Sequence, residues 1–309
     1  MINRELIRIK VVQLVYANFF NQSKSAEDKV KELNYSLASS YEMYQYLLLL
    51  IPEITEYAKI QYEIISSRSL LGNSGIGGVN RFLENRFAAQ LAANTTLLTF
   101  KEKKGTHSWT ECEDVIKNLY NEIIETKEYT NYIESKESPD YEKDRSFWYE
   151  IYSKIICNNE KINAAIEGWN LYWNDDKFII DSFVLKTIAK TQENLWADQP
   201  LLSAFKEEDN KKFAKELFVQ SISNIDEYEE LIGKYTRNWD IERLPVIELS
   251  IMLVAVSEIM NFQTINPTIS INEYLNICKY YCDSKSVSYI NAILDKIVSE
   301  LRRDNKIFK

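Results

Sequence analysis

A single histidine, His107, stands in the polar stretch KKGTHSW. Any Ser-His-Asp or Cys-His system in this chain would have to use it, because such systems pass a proton through an imidazole. The surrounding residues read as a solvated loop and supply no partners for it. Carboxylates are plentiful, as in EEDN (207–210) and DEYEE (226–230), but such runs are what a solvated acidic face carries. The Glu-x-x-His pair of a carboxylate metal site in a helical bundle does not occur. Cys278 and Cys282 lie four apart, yet no nearby histidine or second cysteine pair completes a zinc site, so they read as buried thiols. LLGNSGIGGVNRF concentrates four of the seven glycines. A phosphate-cradling loop lies between strand and helix and usually ends in Lys-Ser/Thr. These flanks are helical and that ending is absent, so a flexible linker is expected. The expectation is a protein that is no enzyme, with no catalytic residue, no metal and no cofactor.

One stretch keeps chemistry of another kind. In SKSVSYINAILDKIVSELRR (284–303), Val287, Ile290, Ile293, Leu294, Ile297 and Leu301 form a helical apolar stripe. Tyr289 lies outside that stripe, and Lys296 and Arg303 follow it at seven-residue intervals on nearly the same side. Single-stranded RNA is held by rings that stack on bases and cations that meet phosphates. Tyr289 can offer the ring, and Lys285, Lys296 and Arg303 the charge. Ser288, Ala292 and Ser299 are small enough to let a backbone approach. Tyr289 could equally border the core with the cations solvating its edge, and the pattern leaves both readings open.

The elements that must position these residues are helical. Among 309 residues, 45% are hydrophobic and 13% aromatic, enough for a sizeable core, and only 7 Gly and 5 Pro are present. Turn-dense β architectures use more of both, so an all-α fold is expected. The net charge of -9 repels polyanions, so any RNA must meet a local patch. Residues 1–24 and 296–309 each carry +3, which leaves -15 on the span between them. Four cysteines make no disulfide framework for this length, which points to a reducing cytoplasm. No secretion signal or membrane span is read.

INRELIRIKVVQLVYANFF is apolar nearly all round and should lie centrally in a bundle, with Arg4 and Arg8 on one face. A second helix is expected over 26–66, kinked or split at Pro52, and further helices over about 80–104, 108–135 and 143–164. The segment from Phe147 lies over that from Phe213 at a constant offset of 66, pairing Phe147 with Phe213, Ile166 with Ile232 and Trp173 with Trp239. Duplication is the better account of this echo. Pro245 suits the start of a helix running to about Met260. Ser270 and Glu273 read as a capping box opening a helix over Ile271–Tyr281, and Ser284 or Ser286 as the cap of the last helix.

Three blocks, NWDIERLPVIELSIMLVAVSEI (238–259), INEYLNICKYY (271–281) and SVSYINAILDKI (286–297), resemble the NusB family in order, spacing and chemistry. RELIRIKVVQLVY (4–16) resembles that family's first helix. The likeness covers a little over a third of the chain. It implies an all-α protein of two helical subdomains: an enlarged N-terminal one over 1–208, and a NusB-like C-terminal one over 209–309. The first helix, 3–22, would join the RNA surface, and 60–205 would be a lineage-specific extension.

The resemblance further implies transcription antitermination. The protein would bind the boxA element of nascent ribosomal RNA together with NusE, a small-subunit ribosomal protein, within an RNA polymerase antitermination complex. The RNA surface would then comprise Arg4, Arg8, Tyr16, Glu242, Lys285, Ser286, Tyr289 and Lys296, and the NusE surface Tyr235 and Glu248. Departures from the family pattern, including Glu5, Leu6, Cys282, Lys285 and Ala292, bear on base preference. A structural scaffold with a weakened RNA surface is one alternative. An RNA-binding module like that of ribosomal RNA cytosine methyltransferases is another, although the chain offers no glycine-rich cofactor turn for the enzyme.

Overall fold

The computed structural model describes residues 1–21, 24–68, 81–103, 107–205, 208–236 and 243–307. Residues 70–80 of the glycine-rich stretch read as a linker, Trp239 and Glu242 lie outside them. The described residues are helical, with one isolated parallel pairing of Ile2 with Phe205 and no strand among them. No helix among them is long and apolar enough to cross a membrane.

The α-helices, in chain order, are α1 (Arg4–Phe20), α2 (Ala26–Arg68), α3 (Arg86–Ala93), α4 (Thr95–Lys103), α5 (Glu113–Ile124), α6 (Lys127–Ile133), α7 (Tyr141–Ile151), α8 (Glu160–Trp169), α9 (Lys177–Lys190), α10 (Glu208–Ser223), α11 (Ile225–Gly233), α12 (Val246–Asn261), α13 (Pro267–Tyr281) and α14 (Ser284–Arg303). They form two compact units, unit 1 over Met1–Ala38 and Ala204–Lys309, and unit 2 over Ser39–Ser203. This division differs from a cut at 208/209, because α1 clusters with the C-terminal helices.

Unit 1 is organised around α12. Twelve successive residues, Glu248 to Ile259, are buried, so this helix is enclosed on every side. It packs against α1, α10, α11, α13 and α14. α1 is capped by Asn3, whose side chain accepts from the Leu6 amide at 2.9 Å, and buries Leu6, Ile7, Ile9, Val11, Val12, Leu14 and Val15. Burying each such side chain contributes about 1.5–3 kcal/mol. Ahead of α1, the Ile2 amide donates to the Ala204 carbonyl at 2.7 Å, and the Asn210 side chain donates to the Ile2 carbonyl at 3.3 Å.

The last two helices open differently from the expected caps. α13 starts four residues before Ile271, with Pro267 in its first turn and Asn266 accepting from the Thr268 amide at 2.9 Å. Ser270 is therefore inside the helix and buried. α14 is capped by Asp283, which accepts from the Ser286 amide at 2.8 Å, and neither Ser284 nor Ser286 is the cap.

In unit 2, α2 runs through Pro52 without a break, although proline leaves the Leu48 carbonyl without its helical donor. The helices expected over 80–104, 108–135 and 143–164 are shorter pieces, parted by capping side chains. Asn94 ends α3 and caps α4, Thr126 caps α6, and Asn159 caps α8. Such residues offer the backbone a competing partner and terminate helices. α7 continues into a π-helical turn over Tyr152–Ile156. Lys177 from α9 donates to the carbonyls of Ile156 (3.0 Å) and Cys157 (2.8 Å) and pairs with Asp181 at 2.7 Å. Tyr152 donates to the same carboxylate at 2.8 Å. α2 is tied to the start and last turn of α9 by Ser40–Asp176 (2.7 Å) and Tyr44–Thr187 (2.6 Å).

The offset of 66 also fits the helix boundaries. α7 with its π turn corresponds to α10, α8 to α11, and α9 to α12. Phe147 and Phe213, Ile151 and Leu217, Tyr152 and Phe218, Ile162 and Tyr228, and Ile166 and Ile232 are buried pair by pair. The echo is thus one of core positions as well as of letters.

Candidate RNA interface

The helices that carry the expected site, α1, α13 and α14, are fixed by two carboxylates of α12. Glu258 is fully buried and accepts four bonds: from Arg8 Nε (2.8 Å), Arg8 Nη2 (2.9 Å), Ser270 (2.7 Å) and Tyr274 (2.9 Å). Arg8 Nη1 also reaches Glu273 at 3.0 Å. Burial disfavours the charged guanidinium, but the bonds to Glu258 and the charges around it outweigh burial and raise the pKa of Arg8. A planar fork held in this way is a strong pairing, and it uses the donors that a phosphate would need. Arg8, expected on the RNA surface, is buried and binds α1 to α12 and α13. Ser270 and Glu273 have left their expected capping box to join the same network.

The second carboxylate, Glu248, fixes the corner where α13 turns into α14. It is 8% exposed and accepts from the Ser286 hydroxyl at 2.6 Å. Ser286 was expected to face RNA and Glu248 to face a protein partner, and the fold bonds them to each other. Tyr289, one turn further along, is half-buried. Its hydroxyl is shielded from solvent and has no hydrogen-bond partner among the described residues. Burial, and then the charge of Glu248, raise its pKa. Tyr289 therefore offers an edge rather than a free ring.

Other expected residues stay at the surface. Arg4, Tyr16, Lys285 and Lys296 are exposed, and Tyr235 at the end of α11 is half-buried. The exposed ones do not form one shelf. Arg8 meets Glu273 and Gln13 donates to the Tyr281 hydroxyl at 3.1 Å, so α1 and α13 run in the same direction. Arg4 and Tyr16 are then about 18 Å apart along α1 at 1.5 Å per residue. Arg4 lies 5.0 Å over the Phe213 ring, which packs 4.9 Å from Phe262 in the turn between α12 and α13. Gln263 of that turn bonds the Lys306 carbonyl at 3.3 Å, which brings the basic end of the chain to the same pole.

The opposite pole is the aromatic one. Tyr16 (39% exposed) and Phe20 (68%) have ring centroids 5.1 Å apart. The Gln13–Tyr281 bond joins α1 to the end of α13, where Tyr280 is 56% exposed. Exposed Lys279 and Lys285 flank that end. Phe20 and Tyr280 were not among the residues expected from the sequence. Glu258 was missed too, although two glutamates inside the largely apolar VIELSIMLVAVSEIM signal buried charges in need of partners. Away from this region, in unit 2, His107 stacks on Trp169 at 5.3 Å. Among the described residues no group of three or more His, Cys, Asp or Glu could hold a metal ion.

The NusB family model matches residues 179–299. Among curated proteins, the transcription antitermination protein NusB of Natranaerobius thermophilus is 34% identical over 108 residues, 34% of this chain and 78% of that protein. The same-named protein of Salinibacter ruber is 30% identical over 132 residues, 41% of this chain and 82% of its own. That of Thermodesulfovibrio yellowstonii is 33% identical over 133 residues, covering 43% and 83%. No solved structure matches the chain. With most of these relatives' length matched by a chain much longer than the match, the protein belongs to the NusB family.

Proposed function

We propose that this protein acts in transcription antitermination in the cytoplasm, by binding and not by catalysis. Unit 1 takes boxA-type RNA of nascent ribosomal transcripts together with NusE, within an RNA polymerase antitermination complex. The observation that carries this reading is the aromatic pole of unit 1, where Tyr16, Phe20 and Tyr280 are exposed beside Lys279 and Lys285. Bases stack on such rings while ammonium groups meet phosphates. Tyr16 and Lys285 are the leading contacts from the family pattern, with Arg4 and Lys296 as outlying phosphate partners and Tyr235 as the residue kept for NusE. Unit 2 takes in most of the expected extension over 60–205, which enlarges the chain beyond its NusB-like part.

The test is fluorescence anisotropy of a labelled boxA RNA with the full chain, with and without NusE, across a salt series. Binding should weaken as salt rises, with a slope reporting a few phosphates. Tyr16→Ala should cost about 1–3 kcal/mol. Equal affinity of wild type and Tyr16→Ala, or an absence of RNA binding with NusE present, would overturn the reading. A scaffold role is favoured by one observation, the burial of Arg8, and predicts that second outcome.

A further inference from the structure

We propose that a groove in unit 2, between α2 and the segment 109–116, is a docking site for a basic, partly apolar segment of another protein. The groove has a volume of about 310 Å³ and is lined by the apolar faces of Tyr57, Ile60 and Trp109 and by the carboxylates of Glu53, Glu56 and Glu113. A second cavity of about 190 Å³ shares Glu53 and Trp109, so the depression continues toward Phe100 and Lys101. Past its other end α2 leaves Ile64 36% and Ile65 65% exposed, and Ile60 in the groove itself is 46% exposed. Aromatic and aliphatic floors of this kind carry most of the energy of protein recognition, and charged rims select the partner.

The sign of the charge identifies the occupant. Lys101 already holds Glu53 at 2.5 Å, whereas Glu56 meets Lys59 only at 3.8 Å, in an exposed pair that contributes little. Glu56 and Glu113 are exposed, which leaves a cation-seeking edge beside an apolar floor. Unit 2 as a whole carries -8 against -1 for unit 1, counted over their residues, so a nucleic acid is repelled here. Segment 69–80, the chain's own continuation beyond α2, contains no charged residue and cannot neutralise the rim. A lysine- or arginine-bearing segment with an apolar neighbour satisfies both features.

The probe is a fluorescein-labelled octapeptide of alternating arginine and leucine, titrated with the full chain. Glu56→Lys combined with Glu113→Lys should weaken binding about tenfold, and Ile60→Ser about threefold. The control Glu142→Lys with Glu150→Lys, exposed positions on α7, should leave binding within about twofold of wild type. Equal loss in the control, or equal binding of an arginine–serine octapeptide, would reduce the effect to bulk attraction and overturn the proposal. Unchanged binding by the groove variants would overturn it as well.

Discussion

In unit 1 one buried cation, Arg8 on α1, takes its carboxylates from two other helices, Glu258 on α12 and Glu273 on α13. In unit 2 the buried pair, Lys177 and Asp181, lies within one turn of α9. The order α7–α9 in unit 2 recurs as α10–α12 in unit 1 at an offset of 66, yet the two units hold these buried charges in different ways. A charge shared across helices fixes tertiary arrangement. A charge shared within one helix satisfies a local defect, here the carbonyls at the end of the π turn. The outer surfaces diverge too, with most of the acidity on unit 2 and an aromatic pole on unit 1. The RNA proposed for unit 1 and the basic segment proposed for unit 2 follow this difference in charge.

The largest effect expected from this contrast is that of Arg8→Ala. It leaves Glu258 buried with no cation and should cost about 3–5 kcal/mol. Denaturant unfolding of the full chain measures the loss, and hydrogen exchange should localise it to α1, α12 and α13. A loss below about 1 kcal/mol would remove the claim that this network sets the tertiary arrangement.

Lys177→Met should cost less, about 1–3 kcal/mol at neutral pH. Burial raises the pKa of Asp181 even with Lys177 beside it, so the orphaned carboxyl can take up a proton. The sign follows from that raised value. The folded state binds a proton that the unfolded state releases above the ordinary value of 3.8, so stability falls as pH rises through that window. The deficit of Lys177→Met should grow with pH, and a deficit independent of pH would refute the mechanism.

The smallest effect is one the units share. Burial pushes the Cys157 thiol of unit 2 up to about 12, aided by Asp181, and the Cys278 thiol of unit 1 up to about 12, aided by Cys282. Both should resist iodoacetamide near pH 8.5 in the folded chain and react once urea unfolds it, as peptide mapping by mass spectrometry would show. Because both values exceed the ordinary 9.0, the stability the thiols contribute should be lost as pH rises from 9 toward 12. Rapid labelling of either one alone would separate the units where they are expected to agree.

The sequence disclosed the helices that carry a strong local signal. The apolar character of α12, Pro245 before it and the stripe of α14 were legible, because burial pattern and proline geometry act within a few residues. The offset of 66 was legible for the same reason. The burial of Arg8 was not legible, since the partner that removes it from the surface is 250 positions away. Ser270 and Glu273 keep the spacing of a capping box, but Pro267 starts the helix a turn earlier and frees both for the buried network. Tyr289 lies outside the apolar stripe, yet the corner fixed by Glu248 and Ser286 shields its hydroxyl. The site was thus legible as a set of helices and only in part as a set of side chains.

The clip between Ile2 and Ala204 has a consequence for synthesis. During translation the first helix emerges with its greasy surface bare, and the helices that will cover it, α10 and α12, are still some 200 residues from being made. Unit 2 is wholly synthesised before then and can close on itself. Birth order and assembly order are therefore inverted: α1 is made well before the helices that cover it yet is among the last to find its place, and it must be kept from wrong associations in the meantime.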